Sequence, residues 1–292
     1  MSTGPLSTST DQPRRVPASL LAVAAIFSVQ FGNALVGSLF DRVGPLGAAA
    51  LRLGLAALIL LIVVRPRVRD WGARTWLGVV LLGLGMGGMN VFIYLAIDRI
   101  PIGIAVTIEL MGPLAVAAAG IRRLVDAGWV LLAIGGILLL GLDGGGAVNL
   151  VGAACAAVAA AFWALYILAS ARLGARVRGV DGLVAAMVVA ALVVVPVGAA
   201  DAAVAVRQSP SLLLAFVGVA LLTSAIPYAL EFLALKRMST RMFGVLSSLG
   251  PAVAALAGFV VLHQRLDLGQ MLAVLLVVCA SAGVVATSRR GA

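Results

Sequence analysis

The chain has 292 residues, of which 63% are hydrophobic and 11% charged, and its mean hydropathy is +1.16. Soluble domains are about 45–50% apolar and roughly a quarter charged, so a fold of this length in water could not hide so much apolar surface. The formal charge of +10 does not signal a nucleic-acid binder, because the basic residues form short clusters between apolar runs, with no basic stripe interleaved with aromatics.

Residues 1–16 are polar, carry Arg14 and Arg15, and read as a cytoplasmic tail. A cleavable signal over Arg14 to Ala25 is the weaker reading, since the apolar run continues through Val36 without a small-residue cleavage site. About 20 apolar residues cross a hydrocarbon core as a helix. Charges, Gly and Pro divide the chain into ten predicted spans: 17–40, 44–64, 75–97, 101–120, 127–142, 148–170, 182–200, 212–235, 242–262 and 268–287. The fifth is the least regular, with Gly135, Gly136 and Gly144 to Gly146 thinning its end. Cys155 and Cys279 fall inside apolar runs and read as packing residues.

Basic residues test the count. Alternate loops, starting with the N-terminal tail, hold Arg14, Arg15, Arg65, Arg67, Arg69, Arg74, Arg122, Arg123, Arg172, Arg176, Arg178, Lys236, Arg237, Arg241, Arg289 and Arg290, sixteen in all. The opposite set holds four, Arg42, Arg99, Arg207 and Arg265, while Arg52 lies inside a span. Cytoplasmic loops carry the Lys/Arg excess, so both termini are expected in the cytoplasm of a bacterial plasma membrane.

The sequence also matches itself. At an offset of 138, Tyr94-Leu95-Ala96-Ile97 falls on Phe232-Leu233-Ala234-Leu235, Arg99 on Arg237, and Gly112-Pro113 on Gly250-Pro251. Nearer the starts of the halves, Ala24 to Phe27 resembles Ala159 to Phe162 at an offset of 135. Two repeats are therefore expected, 17–142 and 148–287, with a C-terminal tail at 288–292. Five helices per repeat is an odd number, so the second enters the membrane from the other side, and a substrate site is expected between inverted halves. The Gly-Pro pairs and Pro227 read either as packing kinks or as mobile breaks, since Pro removes a backbone donor.

Charge inside hydrocarbon costs from about 3 kcal/mol upward, which makes Arg52, Glu109 and Glu231 candidate functional residues. Arg52 and Glu109 each lie roughly 12 Å below the outer start of their spans at the helical rise, and Asn90 ends at a similar level. The expectation is an Arg52–Glu109 ion pair, either as structural glue or as a site for substrate or protons. Glu231 lies near Pro227 and Tyr228, within reach of interfacial water or Lys236. Gln30 and Asn33 could line the same cavity or bond neighbouring helices. His263 sits at the outer end of the ninth span without zinc-ligand spacing around it, and HExxH and GxSxG are absent. No metal, cofactor or enzymatic centre is expected; an intramembrane enzyme, the alternative class, lacks a nucleophile or metal site to work with.

Several stretches resemble one family. They include Gln30, Leu51-Arg52, Gly87 to Asn90, Tyr94-Leu95, Ile100 to Val106, Glu109, Gly112 to Ala117, Trp163 with Tyr166, Ile226-Pro227-Tyr228 with Leu230-Glu231, and Phe243-Gly244. Together they resemble the threonine/homoserine exporter branch of the EamA-domain drug/metabolite transporters over essentially the whole chain. The resemblance implies ten helices in two EamA repeats and efflux of small amino acids, with protons as the coupling ion. An EamA-type exporter of other metabolites or drugs is the alternative. Substrate or proton binding is expected at Glu109, Arg52, Asn90, Tyr94, Glu231, Gln30 and Tyr228, with helix breaks or gates at Gly112, Pro113, Gly250, Pro251 and Pro227. Gly37, Gly250 and His263-Gln264 depart from the family pattern, which has a Lys, an acidic residue and Gly-Glu there.

Overall fold

The computed structural model describes residues 16–119, 128, 131–132, 135, 149–247, 249–269, 271–276 and 278–279. Among them every regular element is helical: α1 (Ala18–Gly37), α2 (Phe40–Val64), α3 (Ala73–Ile97), α4 (Ile102–Glu109), α5 (Met111–Ala118), α6 (Leu150–Gly174), α7 (Asp181–Gln208), α8 (Ser211–Ala220), a π segment (Leu221–Ala225), α9 (Ile226–Leu235), α10 (Thr240–Ser247) and α11 (Gly250–Leu262). Six are long and apolar enough to cross a membrane, counting Ser211–Leu235 as one, and Ile102–Val116 and Gly250–Leu262 are shorter apolar helices. The predicted fifth span has four described positions, the tenth is described only up to 279, and both tails lie outside the described residues apart from Val16.

Local chemistry explains where the helices stop. Ahead of α6, Asn149 Oδ1 accepts from Gly152 N at 3.0 Å, satisfying one of the free donors of the first turn. At the end of α2, Arg65 takes a left-handed conformation with φ 50° and Pro66 follows, so the helix cannot continue. The second span begins earlier than its sequence suggests. Helix α2 starts at Phe40, but Gly44 breaks it with φ 69°, so the regular helix begins at Pro45, close to the predicted start.

Three prolines break helices inside the apolar zone. Pro113 has no N–H for the Glu109 carbonyl four residues before it, and the chain turns at Leu110 between α4 and α5. Pro251 does the same for Ser247, where α10 ends. Pro227 follows the π segment in which the helix widens.

Helix faces follow the logic of lipid. Ala22, Ala34, Ala48, Ala56, Ala159 and Ala254 are fully buried between helices, whereas Val63 is 73%, Leu214 77% and Leu150 83% exposed. Because lipid is as apolar as leucine, helices associate through close packing, which small residues permit. Gly112 and Gly198 are sharp cases: a Cβ at the first would collide with the Ala160 carbonyl of α6, and one at the second with the Leu46 carbonyl of α2.

Helix α2 packs along α7, and α3 lies against α6 and α7. Helix α1 packs on α9 and α11, α4 on α11 and α6, and α5 on α6 and α10. The element bounds recur at the offset noted in the sequence. Ala73–Ile97 shifted by 138 spans the same positions as Ser211–Leu235, and Ile102–Glu109 those of Thr240–Ser247.

Candidate functional site

Where α1, α2, α3, α4, α6, α9, α10 and the start of α11 converge, the helices line a cavity of about 40 Å³. That is room for a few water molecules. Gln30, Asn33, Arg52, Asn90, Glu109, Tyr228, Glu231 and Ser247 supply its polar wall; Ile26, Val29, Met89, Ile93 and Trp163 supply the apolar one. The structure thus gathers Gln30, Arg52, Asn90, Glu109, Tyr228 and Glu231 around one space. Gly250 also borders it, and a Cβ at that position would stand 3.5 Å from the Gln30 side-chain nitrogen.

Arg52, 1% exposed, does not pair with Glu109. Arg99 pairs with its neighbour Asp98 at 3.2 Å, near the protein surface. The expected buried pair is corrected: Arg52 is held by neutral oxygens. Its Nε donates to Ser224 Oγ at 2.7 Å, and one terminal nitrogen donates to Asn33 Oδ1 at 2.8 Å and to Tyr94 Oη at 2.5 Å. The other terminal nitrogen donates to the Thr223 carbonyl. The guanidinium also lies 5.4 Å from the centre of the Tyr94 ring, a cation–π distance.

The Thr223 carbonyl is available for a reason written in the sequence. Pro227 has no N–H, so it gives no donor to the carbonyl four residues back, Thr223, or five back, Leu222. Arg52 donates to the first, and Ser28 Oγ of α1 donates to the second. A proline in α9 therefore leaves two open acceptors that α1 and α2 fill. Gly32 lets α1 approach this segment, since a Cβ there would collide with the Thr223 side chain.

Tyr94 also departs from its expected place. It is fully buried, lies outside the cavity wall and packs edge-on against Phe40 at 5.4 Å while holding Arg52. Asn90 Nδ2 donates to the Met86 carbonyl at 2.7 Å and to Tyr228 Oη at 2.5 Å. Glu231 Oε2 accepts from Tyr166 Oη at 2.9 Å. Lys236 turns away from Glu231 and donates to the carbonyls of Val177 and Gly179, tying the end of α9 to the α6–α7 turn.

Two groups facing the cavity are unmatched. Glu109 is 7% exposed and makes no hydrogen bond or ion pair among the described residues. Gln30 Oε1 is buried without a donor. Thr223, Ser224, Tyr166 and Ser247 escaped the sequence reading as members of the polar network. Their signal was present but faint: hydroxyl residues inside apolar spans, with Thr223 four positions before a proline. His263 lies at the far end of α11, exposed, in a left-handed conformation with φ 54° that ends the helix. Beside it, Gln264 Oε1 accepts from Ile102 N at 3.3 Å, linking the ends of α11 and α4.

Comparison with known proteins agrees with this architecture. The profile of the EamA-like transporter family matches residues 150–286. The threonine/homoserine exporter RhtA of Salmonella typhimurium is 42% identical over 274 residues, 93% of this chain and 92% of that protein. The chain belongs to the EamA-like transporter family. Escherichia coli RhtA is 41% identical over 283 residues, covering 95% of both chains. A solved crystal structure of a further protein aligns with a TM-score of 0.63 at 25% identity, covering 94% of this chain and 98% of that one. As a member of this family the protein is a multi-pass membrane transporter, and the relatives it matches are named exporters, not enzymes.

Proposed function

We propose that the protein exports small polar amino acids, of the threonine or homoserine kind, across the bacterial plasma membrane in exchange for protons. The names of the RhtA relatives support the substrate class. The observation that carries the mechanism is Glu109, a buried carboxyl facing the cavity without a partner. Such a group is stable in a membrane interior only when a proton or another positive group joins it. The ammonium of an amino acid meets that demand from one side, with Gln30 Oε1 as a second acceptor. Of the five guanidinium N–H groups, Arg52 commits four, which leaves one for the substrate carboxylate. Asn90 and Tyr228 border the same space and orient the substrate.

Exchange follows from exclusivity. Glu109 cannot hold a proton and an ammonium together, so proton entry releases the substrate outward and proton departure restores the site. Glu231, bonded to Tyr166, is the second carboxyl near this path. The cavity is too small for an amino acid, so loading requires the walls to part. The breaks at Leu110 and before Gly250, next to Gly112-Pro113 and Gly250-Pro251, serve as hinges for that opening, and Pro227 weakens α9 beside it.

The frame for this movement is ten helices in two inverted repeats, 17–142 and 148–287, with both termini in the cytoplasm. Coincident helix bounds at the offset of 138 and the matching proline breaks support it. The test is efflux of a panel of labelled amino acids from proteoliposomes under an imposed pH gradient. Threonine and homoserine should move against their own gradients. Movement confined to apolar amino acids or drugs would overturn the substrate assignment, and transport indifferent to the pH gradient would overturn the coupling.

A further inference from the structure

At the end of the molecule where α3 begins and α6 ends lies a groove of about 240 Å³, remote from the central cavity. It is lined by Arg74, Arg172 and Arg176 around Leu77, Leu81 and Leu173, with Gly78 among them. Gly78 brings the two helices together, since a Cβ there would meet Leu173 at 3.3 Å. Among the described residues no acidic side chain lines this groove; Asp70 and Asp181 border the neighbouring recess, where Arg176 is shared with Arg65, Arg67 and Arg178. Among the described residues, the side chains of Arg74, Arg172 and Arg176 make no ion pair and no hydrogen bond.

The groove spans a polarity gradient. Trp71 and Trp76 flank Arg74 and pack edge-to-face at 5.7 Å, and Trp76 is 41% exposed. Tryptophans at a helix end mark the headgroup level of a bilayer. Leu77, 59% exposed, lies almost one turn deeper than Arg74, and Leu81 lies roughly 10 Å deeper at the helical rise. Three unpaired guanidinium groups thus sit at headgroup depth, above a strip of leucine facing the acyl region. The start of α3 adds the positive end of a helix dipole beside Arg74.

We infer that this groove is a binding site for an anionic phospholipid. The arginines take the headgroup phosphate, for which guanidinium geometry is suited, and one acyl chain lies along Leu77 and Leu81. Zwitterionic lipids carry a cation that three arginines repel, so the site selects for net negative charge. By pinning α3 to α6 at one end, the lipid fastens two helices that also border the central cavity, at Asn90 of α3 and at Trp163 midway along α6.

Native mass spectrometry of the full-length protein, titrated with phosphatidylglycerol or with phosphatidylcholine of the same chains, tests the site. Each arginine near an anionic surface is worth roughly fivefold in binding, so Arg74→Gln/Arg172→Gln/Arg176→Gln should weaken phosphatidylglycerol binding at least about tenfold. The charge-matched control Arg65→Gln/Arg67→Gln/Arg178→Gln should change it by less than about threefold, because its recess already holds two aspartates. Leu77→Asn should weaken phosphatidylglycerol but leave glycerol phosphate, the headgroup alone, unaffected. Equal losses in both triple variants would reduce the effect to diffuse surface charge and overturn the site. So would unchanged binding in the first triple variant. Displacement of the lipid by millimolar inorganic phosphate would instead make it a free-anion site. The substituted arginines and Leu77 are exposed, so the variants should elute as the parent protein does.

Discussion

Asn90 of α3 donates a 2.5 Å hydrogen bond to Tyr228 of α9, and the two residues are separated by 138 positions, the offset at which the chain repeats itself. In the proposed repeat they are counterparts, one from each half, meeting where the halves abut. A residue lying near a pseudo-two-fold axis faces its own equivalent, and two identical side chains there would compete for one geometry. Asn supplies the donor and Tyr the acceptor, so the seam is closed by a complementary pair.

The carboxylates separate coupling from packing. Glu→Gln keeps the shape and cannot release a proton. Glu109→Gln should abolish gradient-driven efflux in proteoliposomes while folded protein persists in the membrane. Glu231→Gln should weaken it less, since that carboxyl already has Tyr166 as a partner. Full pH-driven transport in both variants would sink the carboxylate mechanism.

Arg52 and Pro227 should behave as a coupled pair. Arg52→Leu strips the donor from four oxygens and should cost about 3–5 kcal/mol of stability, read as thermal unfolding in detergent. In that background Pro227→Ala restores an N–H to the helix and should recover about 1 kcal/mol. In the parent protein the same change should do little, because the Thr223 carbonyl is already satisfied. Additive effects in the double-mutant cycle would count against the assignment of that carbonyl.

Glycine substitutions distinguish contact from propensity. Gly112→Ala drives a methyl group into the Ala160 carbonyl and should destabilise by about 1–3 kcal/mol. Gly218→Ala meets nothing within 4 Å and should be neutral or stabilising by up to about 1 kcal/mol. Equal melting temperatures for the two would contradict the close approach of α5 to α6.

Orientation is tested by labelling. With Cys155 and Cys279 replaced, single cysteines at Arg69 and Arg178 should resist an impermeant thiol reagent in intact cells. Cysteines at Asp143 and Asp201 should react. The reverse pattern would invert the proposed topology.

Much of the frame was legible because lipid leaves a blunt signature: apolar runs of set length, interrupted at Arg65-Pro66, at Gly44-Pro45 and at the Gly-Pro pairs. The expected common level of Arg52, Asn90 and Glu109 came from a constant helical rise, and the three border one cavity. Rotation about the helix axis was not legible. It decides that Arg52 turns toward Ser224 and Thr223 while Glu109 faces the cavity, and it comes from contacts between distant helices. Tyr94 illustrates the same limit, sharing α3 with Asn90 but standing behind the guanidinium. In the π segment before Pro227, the Leu222 carbonyl is met by a side chain 194 positions away in α1, which no local pattern records.

Synthesis order gives the π segment a further significance. Ser211–Leu235 leaves the ribosome carrying two carbonyls that its own backbone leaves unmet, at Leu222 and Thr223, and hydrocarbon offers them no partner. The groups that complete them, Ser28 and Arg52, belong to helices translated long before. The early helices therefore present the donors that the late one lacks. Arg52 has Asn33 and Tyr94 from its own half, and gains Ser224 and Thr223 only when the late helix packs beside it. Substitutions at Ser28 or Pro227 would register first in the yield of assembled protein, before any change in transport.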